Sequence, residues 1–356
     1  MNKILVLGGY GNFGKRISAR LAKAGFAVVI GGRDATKATK LAAELKTEMA
    51  VFDLNTELQQ HIKSVKPKII INTCGPFQNA SYLVAKICIE HGVHYIDIAD
   101  DRKFVCGITH LDLLAKQQGV LVVSGASTVP CLSSAVIEAL KGEFSEIESL
   151  IYGISPGQKT GRGLATTKSV LSYLGKKLQP AAGKIRYGWQ DLYRQEYPEL
   201  GKRWMANCNV PDLDLFPLRY GLKSIQFSAG MESQALHLGM WITSWLIRLG
   251  LPINLEKYAA ELLHFSHYFD FFGSDDGGMH VIINGKNHTG EALQKKWFVI
   301  AKKGDGPQIP CTPAIILAKK LINSEFAYVG AAPCVGMISL AEYLKELEGF
   351  AISHYS

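Results

Sequence analysis

The sequence predicts an α/β protein whose main element is a doubly wound parallel sheet. Two observations indicate this class: short apolar runs alternate with helical patterns over the first 130 residues, and a glycine-rich loop directly follows the first apolar run. The chain has 356 residues, and single hydrophobic cores usually stop growing at about 250 to 300 residues. We therefore expect two domains.

The parallel sheet is predicted from six apolar runs, each of the length of a strand. Between the first two runs, Ile17, Leu21 and Ala24 recur on one helical face, so a helix over 14–24 is expected to cover the sheet. A second helix begins at Leu83 and ends before Gly92, a usual stop signal. The predicted strands cover residues 3–7, 27–30, 50–52, 68–72, 94–98 and 120–124.

A phosphate-binding loop is predicted between the first strand and the first helix. In this loop, Gly9, Gly11 and Gly14 have the spacing of the dinucleotide fingerprint. The first glycine permits a tight turn, the second lets the backbone approach a diphosphate, and the third lets the helix pack closely on the strand. The helix N-terminus offers N–H groups and a partial positive charge. The sequence therefore predicts a Rossmann domain whose loop consists of Gly8, Gly9, Tyr10, Gly11, Asn12, Phe13 and Gly14.

The end of the second strand favours NADP over NAD. An NAD-preferring site usually places Asp or Glu there, about 20 residues after the loop, to bind the ribose 2'-hydroxyl. Here the strand ends in glycines followed by Arg33, whose planar guanidinium suits a 2'-phosphate, and Lys37 adds a second positive charge. Asp34 leaves an alternative open. It either caps the helix that starts at Ala35, or reaches the ribose and reverses the preference.

The alternation of strands and helices ends after Gly125. A helix over 132–140 is followed by longer, aromatic and glycine-punctuated segments such as 269–273, which we assign to a substrate and dimerisation domain. Amphipathic stretches at 314–322 and 338–347 are expected to return to the Rossmann domain. The predicted domains are residues 1–130 plus 311–356 for the dinucleotide, and residues 131–310 for the substrate.

Composition and charge limit the class of partner. The net charge is +8, but no block of five Lys or Arg residues occurs, so nucleic acid is not expected, and a phosphorylated cofactor with an acidic substrate fits the charge. The seven cysteines form no Cys-x-x-Cys pair, and His264, His267, His280 and His288 have no Asp or Glu at metal-ligand spacing, so no metal site is predicted. The start of the chain lacks a signal-peptide core, which favours a cytoplasmic location.

Residues 235–251 form an apolar segment that contains two tryptophans. It is interrupted by His237, Gly239 and Arg248, and it falls short of the roughly 20 apolar residues that a membrane-spanning helix needs. We expect a buried or dimer-forming helix here. Peripheral contact with a membrane is the alternative.

Short strings spread over nearly the whole chain, together with the phosphate loop, carry a resemblance to a known family. They are INTCGPF at 71–77, YIDIAD at 95–100, GASTVPCLSS at 125–134, GSDDGGM at 273–279, GDGP at 304–307 and GAAPC at 330–334. With these strings the sequence resembles the saccharopine dehydrogenase family, and it is more similar to bacterial members outside the lysine pathway. The resemblance implies a second α/β domain on a mixed sheet and nicotinamide-dependent oxidoreduction, often by a dimer. Members of the family reduce an imine to a secondary amine, but the resemblance does not indicate the substrate here.

The carboxyl end of the fourth strand supplies further candidates for the cofactor site. Cys74, Gly75, Pro76 and Phe77 follow this strand, on the edge where an open α/β sheet holds its cofactor. We assign these four residues and Asp53 to the cofactor site, with Phe77 beside the nicotinamide. Cys74 is expected to be a packed thiol rather than a nucleophile.

Asp97, Asp100 and Asp101 lie at the end of the fifth strand. A carboxylate beside the nicotinamide would orient an amine or shuttle a proton, so Asp100 is the candidate catalytic residue. In the alternative interpretation, Asp100 and Asp101 cap the next helix or pair with Arg102. The second domain contains three candidate cations, which would either bind a substrate carboxylate or be solvated charges of a loop. They are Lys159, Arg162 and Lys168.

The leading hypothesis is an NADP-dependent oxidoreductase that moves a hydride to or from a C=N or C=O carbon of a small, acidic substrate. The cofactor would carry the redox chemistry, and the protein would bind and orient. Two alternatives remain at this stage: a nucleotide-binding sensor or scaffold without turnover, and a lipid reductase that docks to membranes through residues 235–251. A homodimer is predicted from the glycine-rich and aromatic segments of the second domain.

Overall fold

Two seven-stranded sheets organise the chain, whose computed structural model describes residues 2–178 and 182–356. In chain order the strands are β1 (Lys3–Leu7), β2 (Ala27–Gly32), β3 (Glu48–Val51), β4 (Pro67–Asn72), β5 (His94–Asp97), β6 (Leu121–Ser124), β7 (Glu146–Ser155), β8 (Tyr193–Tyr197), β9 (Gly201–Asn207), β10 (Ser224–Gly230), β11 (Gly277–Lys286), β12 (Ala292–Ala301), β13 (Gly330–Pro333) and β14 (Ile352–Tyr355).

Helices connect most of these strands. In chain order they are α1 (Gly14–Lys23), α2 (Ala35–Leu45), α3 (Leu58–Val65), α4 (Leu83–Glu90), α5 (Arg102–Gly107), α6 (Asp112–Gln117), α7 (Ser133–Leu140), α8 (Leu164–Ser172), α9 (Asp212–Tyr220), α10 (Gln234–Arg248), α11 (Ala259–His267), α12 (Thr312–Ile322) and α13 (Leu340–Glu346). No helix in the described ranges combines the length and apolar character needed to cross a bilayer.

The first sheet is parallel throughout, with the strand order β13-β6-β5-β4-β1-β2-β3. Its central strands are buried on both faces, as parallel strands covered by helices usually are; Ile4, Leu5 and Ile70 have no exposed surface. Helix α1 contributes Ile17 and Leu21, both fully buried, to the cover. The predicted doubly wound Rossmann sheet is confirmed.

The second sheet is mixed, with the order β14-β12-β11-β7-β10-β9-β8. Strands β7 and β10 are parallel, and the other neighbours pair antiparallel. This is the mixed sheet that the family resemblance implied. Buried and partly buried residues alternate over part of this sheet, as at positions 224–227 of β10, because a sheet covered on one face needs apolar residues only at every second position.

The chain divides into two compact units, Met1–Ala135 with Gln308–Glu346, and Val136–Pro307 with Leu347–Ser356. The C-terminal residues differ from the prediction, which assigned everything after 310 to the Rossmann domain. Strand β14 instead pairs antiparallel with β12, so that Tyr355 lies opposite Phe298 in the second sheet. The helical pattern at 338–347 marked α13 but contained no signal for the strand that follows it.

The third strand also differs slightly from the prediction, 48–51 instead of 50–52. In β3 only Ala50 is buried, while Met49 and Val51 are exposed. This strand lies at the edge of the sheet, where little apolar surface is covered, and its boundaries are therefore poorly marked in the sequence.

Candidate cofactor-binding site

The carboxyl ends of β1 and β4 mark the point at which the strand order of the parallel sheet reverses. From β1 the sheet continues to β2, and from β4 it continues to β5 in the other direction. Thr73, which follows β4, donates its backbone N–H and its hydroxyl to the carbonyl oxygen of Leu7, at 3.0 and 2.7 Å. Ligands of open α/β sheets bind in the crevice at such a switch point.

The three fingerprint glycines serve three different purposes in the loop. A Cβ atom on Gly9 would lie 2.9 Å from the carbonyl oxygen of Val6, and one on Gly14 would lie 2.1 Å from that of Gly8. The turn and the start of α1 are therefore packed at backbone contact. A Cβ on Gly11 would meet only the Gly8 carbonyl oxygen, at 3.1 Å, within 4 Å among the described residues. This open side is where a diphosphate must approach the backbone.

Helix α1 presents its positive end to the loop. Its N-cap is Phe13, whose side chain makes no capping hydrogen bond, and its first turn holds no acidic residue within the described chain. The first N–H groups of a helix lack intrahelical partners, and the N-terminus carries a partial positive charge. Arg16 adds a cation beside the loop and donates to the side-chain oxygen of Asn12 at 2.7 Å. The residues present thus suit the diphosphate of a dinucleotide.

Tyr10 joins the phosphate loop to the end of β2. A Cβ on Gly32 would come within 2.4 Å of its ring, and its hydroxyl accepts the backbone N–H of Asp34 at 2.9 Å. The carboxylate of Asp34 caps α2, accepting the backbone N–H of Lys37 at 3.0 Å and lying 3.1 Å from the Lys37 ammonium. The hydrogen bonds from the Lys37 backbone and side chain lower the pKa of Asp34. The capping interpretation of Asp34 therefore describes the structure.

Arg33 extends from the end of β2 into solvent. Its side chain is 77% exposed, and its Nη1 lies 3.9 Å from Oδ2 of Asp53. Such an exposed pair contributes little, so the guanidinium keeps its donors for another anion. Asp53 accepts the backbone N–H of Asn55 at 2.8 Å, which orders the turn after β3. Arg33 and Asp53 thus lie together beyond the ends of β2 and β3.

The loop after β4 packs against the phosphate loop. A Cβ on Gly8 would lie 2.8 Å from the hydroxyl of Thr73 and 3.0 Å from Sγ of Cys74. Burial raises the pKa of the Cys74 thiol to about 11, which keeps it protonated at neutral pH. A neutral thiol is a poor nucleophile, which agrees with the packed role expected for Cys74.

The next three residues of this loop differ in exposure. Gly75 and Pro76 are exposed, whereas Phe77 is buried and its ring lies 5.3 Å from that of Phe104. The backbone of Gly75 and Pro76 is therefore accessible to a ligand. The Phe77 ring packs in the interior of the first unit, where it would support the backbone of this loop.

Asp97 and Asp101 have structural partners. Asp97 is fully buried, and its Oδ1 accepts the N–H groups of Ala99 and Gly125 and the hydroxyl of Ser124 at 2.9 to 3.0 Å. Burial raises the pKa of Asp97 to about 6. Asp101 is the N-cap of α5 and accepts the backbone N–H of Phe104 at 2.8 Å. The predicted capping role thus belongs to Asp101.

Asp100 differs from both neighbours, because it neither caps the helix nor is fully buried. It is half-buried and hydrogen-bonded to the side chain of Gln78, in the loop that follows β4. Burial raises its pKa, and the neighbouring Asp101 raises it further. A carboxyl with a raised pKa at the edge that holds the cofactor is suited to holding a proton.

Thr73 and Gln78 are the residues of this edge that the sequence analysis missed. Both lie just after the apolar run of β4, and polar residues at the carboxyl end of a buried parallel strand are a usable signal. Their partners are Leu7, on β1, and Asp100, in the loop that follows β5, so only the sheet order reveals the contacts.

The cations proposed for the second unit differ in burial. Lys159 and Lys168 are exposed. Arg162 pairs with Asp270 at 2.5 Å, and its Nε and Nη1 are buried without a hydrogen-bond partner in the described part of the chain. Arg162 is therefore not a solvated loop charge. Within residues 2–178 and 182–356, no three His, Cys, Asp or Glu side chains are arranged to hold a metal ion.

Residues 4–124 match the family described as "Saccharopine dehydrogenase NADP binding domain". The match covers 121 of the 356 residues, all in the N-terminal part of the chain. The match confirms the predicted family of the domain and its NADP cofactor, and the chain thus carries the cofactor domain of an NADP-dependent oxidoreductase family. None of the curated proteins matches the sequence.

Two solved structures share the fold over their full length. Apo saccharopine dehydrogenase (L-Glu forming) from Saccharomyces cerevisiae is similar with a TM-score of 0.67 and 12% identity, covering 100% of this chain and 99% of that one. A mutant meso-DAPDH with DAP from Clostridium tetani E88 is similar with a TM-score of 0.50 and 12% identity, covering 98% of both chains. At this identity the likeness establishes the fold alone.

Proposed function

We propose that the chain is an NADP-dependent oxidoreductase that transfers a hydride to or from a C=N or C=O carbon of a small, acidic substrate. The observation that carries the proposal is the end of β2. Arg33 is exposed there, and the neighbouring Asp34 is committed to capping α2. With the glycine loop at the switch point, this edge suits a dinucleotide that bears a 2'-phosphate.

The residues of the first unit have separable roles in this reaction. When bound, NADPH supplies the hydride. The loop amides and the N-terminus of α1 would hold the diphosphate, Arg33 and Lys37 the 2'-phosphate, and the exposed backbone of Gly75 and Pro76 the nicotinamide side. Asp100 would give or take the proton that accompanies the hydride, because its raised pKa lets the carboxyl hold a proton nearer to neutral pH.

Arg162 supports the acidic character of the substrate. Two of its guanidinium nitrogens are buried without partners among the described residues, and such donors are costly unless an acceptor meets them. A carboxylate matches the planar fork of a guanidinium. We therefore assign Arg162 to the binding of a substrate carboxylate.

The cofactor assignment is tested by fluorescence titration of the full chain with NADPH and NADH. Arg33→Ala should weaken NADPH binding by about 10- to 100-fold, because a charged hydrogen bond contributes about 1.5–3 kcal/mol, and should leave NADH binding unchanged. Lys23→Ala, which removes the same charge at the other end of α1, is the matched control and should bind both cofactors normally. Tighter binding of NADH than of NADPH by the wild type, or unchanged NADPH binding by Arg33→Ala, would refute the assignment.

Turnover is tested by screening imines, keto acids and aldehydes for NADPH oxidation. An acidic imine or keto acid should be reduced faster than its uncharged analogue. A protein that binds NADPH tightly but oxidises it with none of these compounds would instead be a nucleotide-binding sensor. A homodimer and a cytoplasmic location remain predictions.

A further inference from the structure

The ring of Tyr10 lies directly over the last residue of β2. A Cβ atom on Gly32 would be 2.7 Å from the ring carbon Cζ and from the hydroxyl oxygen of Tyr10. Nonbonded carbon atoms prefer separations of about 3.5–4.0 Å, so no side chain fits there beside the ring. The φ angle of Gly32 lies outside the left-handed region, and the backbone alone would therefore permit a side chain. It is Tyr10 that keeps position 32 empty.

Position 32 is the place at which an NAD-preferring Rossmann site usually carries its acidic residue. It ends β2 and lies about 20 residues after the fingerprint glycines. Asp or Glu at this place binds the ribose 2'-hydroxyl of NAD, and its charge repels the 2'-phosphate of NADP. The space that such a side chain would enter is filled by the Tyr10 ring. The loop that faces the diphosphate therefore also excludes a carboxylate from the end of β2.

Two sets of contacts hold the Tyr10 ring in this space. The ring packs against an apolar cluster that joins β2 to α2 and consists of Ile30, Ala38 and Ala42. Its hydroxyl accepts the backbone N–H of Asp34 at 2.9 Å. The ring cannot leave the space over Gly32 without losing both.

The same hydroxyl holds the turn that carries Arg33. It fixes the backbone of Asp34, whose carboxylate accepts the backbone N–H of Lys37 at 3.0 Å and so stays at the start of α2. Arg33, one residue earlier, extends into solvent. We propose that Tyr10 is the positioning residue that sets the preference for NADP over NAD. Its ring excludes a carboxylate at position 32, and its hydroxyl holds the turn from which Arg33 reaches the 2'-phosphate. This inference rests on the proposed function, because both concern the same cofactor site.

The role of the hydroxyl is tested by fluorescence titration of the full-length Tyr10→Phe variant with NADPH and NADH. This variant keeps the ring over Gly32 and removes the bond to Asp34. NADPH binding should weaken about 2- to 10-fold, the range of one hydrogen bond, because the turn that carries Arg33 is held less firmly. NADH binding should be unchanged, since NADH has no 2'-phosphate for Arg33.

The role of the ring is tested by a double-mutant cycle at positions 10 and 32. Gly32→Asp should weaken the binding of both cofactors at least 10-fold, because the new side chain displaces the Tyr10 ring and the loop that carries it. Tyr10→Ala alone should still prefer NADPH, because it adds no carboxylate. Combining the two should raise the NADH affinity of Gly32→Asp at least 10-fold, because the carboxylate then takes the place of the ring and reaches the ribose. The double variant should prefer NADH.

Tyr343→Phe is the matched control for loss of a tyrosine hydroxyl. Tyr343 belongs to α13, is fully buried and donates to the carbonyl oxygen of Ile309 at 2.6 Å. Its variant should keep the wild-type ratio of NADPH to NADH affinity. Urea unfolding of every variant shows whether it is folded. If the double variant does not fold, Tyr10→Phe decides: a lowered ratio supports the proposal, and an unchanged ratio refutes it.

The outcomes separate this inference from the proposed function. A wild type that prefers NADPH, with a folded double variant that gains no NADH affinity over Gly32→Asp, would overturn the role of Tyr10 and leave the proposed function intact. The same holds if Gly32→Asp binds NADH more tightly than NADPH with Tyr10 in place, because the ring would then exclude nothing. A wild type that prefers NADH would overturn both.

Discussion

Asp100 and Asp101 are adjacent carboxylates that follow β5 and have different roles. Asp101 caps α5, whereas Asp100 is hydrogen-bonded to Gln78 and has a raised pKa. If Asp100 donates the proton in the direction of reduction, the rate falls as the pH rises through its pKa, because the deprotonated carboxylate has no proton to give. Variants of Asp100 and Asp101 therefore compare a predicted proton donor with a helix cap in the same segment.

Asp100→Asn should reduce turnover by about 100-fold or more with a substrate found by the screen, and should leave NADPH affinity nearly unchanged. It should also abolish the decline of kcat/KM with rising pH. Asp101→Asn should keep a decline of kcat/KM with rising pH but move it to lower pH, because the charge that raises the pKa of Asp100 is removed. It should change the stability of the fold little, because Asn caps a helix about as well as Asp. Steady-state kinetics over a pH series provide the measurement. An Asp100→Asn enzyme with an unchanged pH profile would remove Asp100 from the mechanism.

Residues of the site were predictable where their role is local. The glycines of the phosphate loop and the Asp34 cap act on neighbours within a few positions, so spacing alone reveals them. The contact between Tyr10 and Asp34 joins residues 24 positions apart, and that between Gln78 and Asp100 joins two different loops. Pairs of this kind depend on the order of strands in the sheet, which a single sequence does not state.

At the scale of elements, the loop between β1 and α1 contains one glycine that is expected to affect cofactor binding and another that is expected to affect the stability of the fold. A Cβ at position 11 projects to the side on which a diphosphate would lie, whereas one at position 14 collides with the Gly8 carbonyl at 2.1 Å. The two glycines should therefore respond differently to the same substitution.

Gly11→Ala should weaken NADPH binding by at least 10-fold and change the free energy of unfolding by less than about 1 kcal/mol. Gly14→Ala should lower the free energy of unfolding by about 1–3 kcal/mol, because α1 must move off the strand. Urea unfolding and NADPH titration measure the two effects. Gly142→Ala is the control, since a Cβ there would have no neighbour within 4 Å in the described structure, and it should alter neither quantity. Normal NADPH binding by Gly11→Ala would contradict the assignment of this loop to the diphosphate.

The elements of the two sheets differed in how well the sequence predicted them. The central parallel strands are continuous apolar runs because both of their faces are buried, and β1 was predicted at its observed bounds. The strands of the mixed sheet have less continuous apolar runs, as in β8, whose three central residues are polar, and they were not identified individually. Helix α10 was recognised as apolar, but its buried residues are His237 and Ser244, which no hydropathy pattern records.

At the scale of the whole molecule, the chain returns to both sheets near its C-terminus. Strand β13 pairs with β6 in the parallel sheet, and β14 pairs with β12 in the mixed one. Both pairings join segments far apart in the sequence, which explains why the destination of residues 347–356 was predicted incorrectly. Stability should therefore depend on buried groups between strands, and Asp97, bonded to Ser124 beyond β5, is one of them.

Asp97 should make the stability of the protein fall as the pH rises through the mildly acidic range. Its pKa is raised from 3.8 to about 6 in the folded chain, because burial disfavours the charged carboxylate. Between these values the folded state keeps the proton that the unfolded chain has released, so the free energy of unfolding decreases with rising pH until both states are ionised. A difference of about two pKa units corresponds to at most about 3 kcal/mol.

Asp97→Asn keeps an oxygen for Ala99, Ser124 and Gly125 but cannot ionise. Relative to this variant, the wild type should lose stability from pH 4 to pH 6 and stay level above that range in urea unfolding; a constant difference would show that Asp97 ionises with its ordinary pKa.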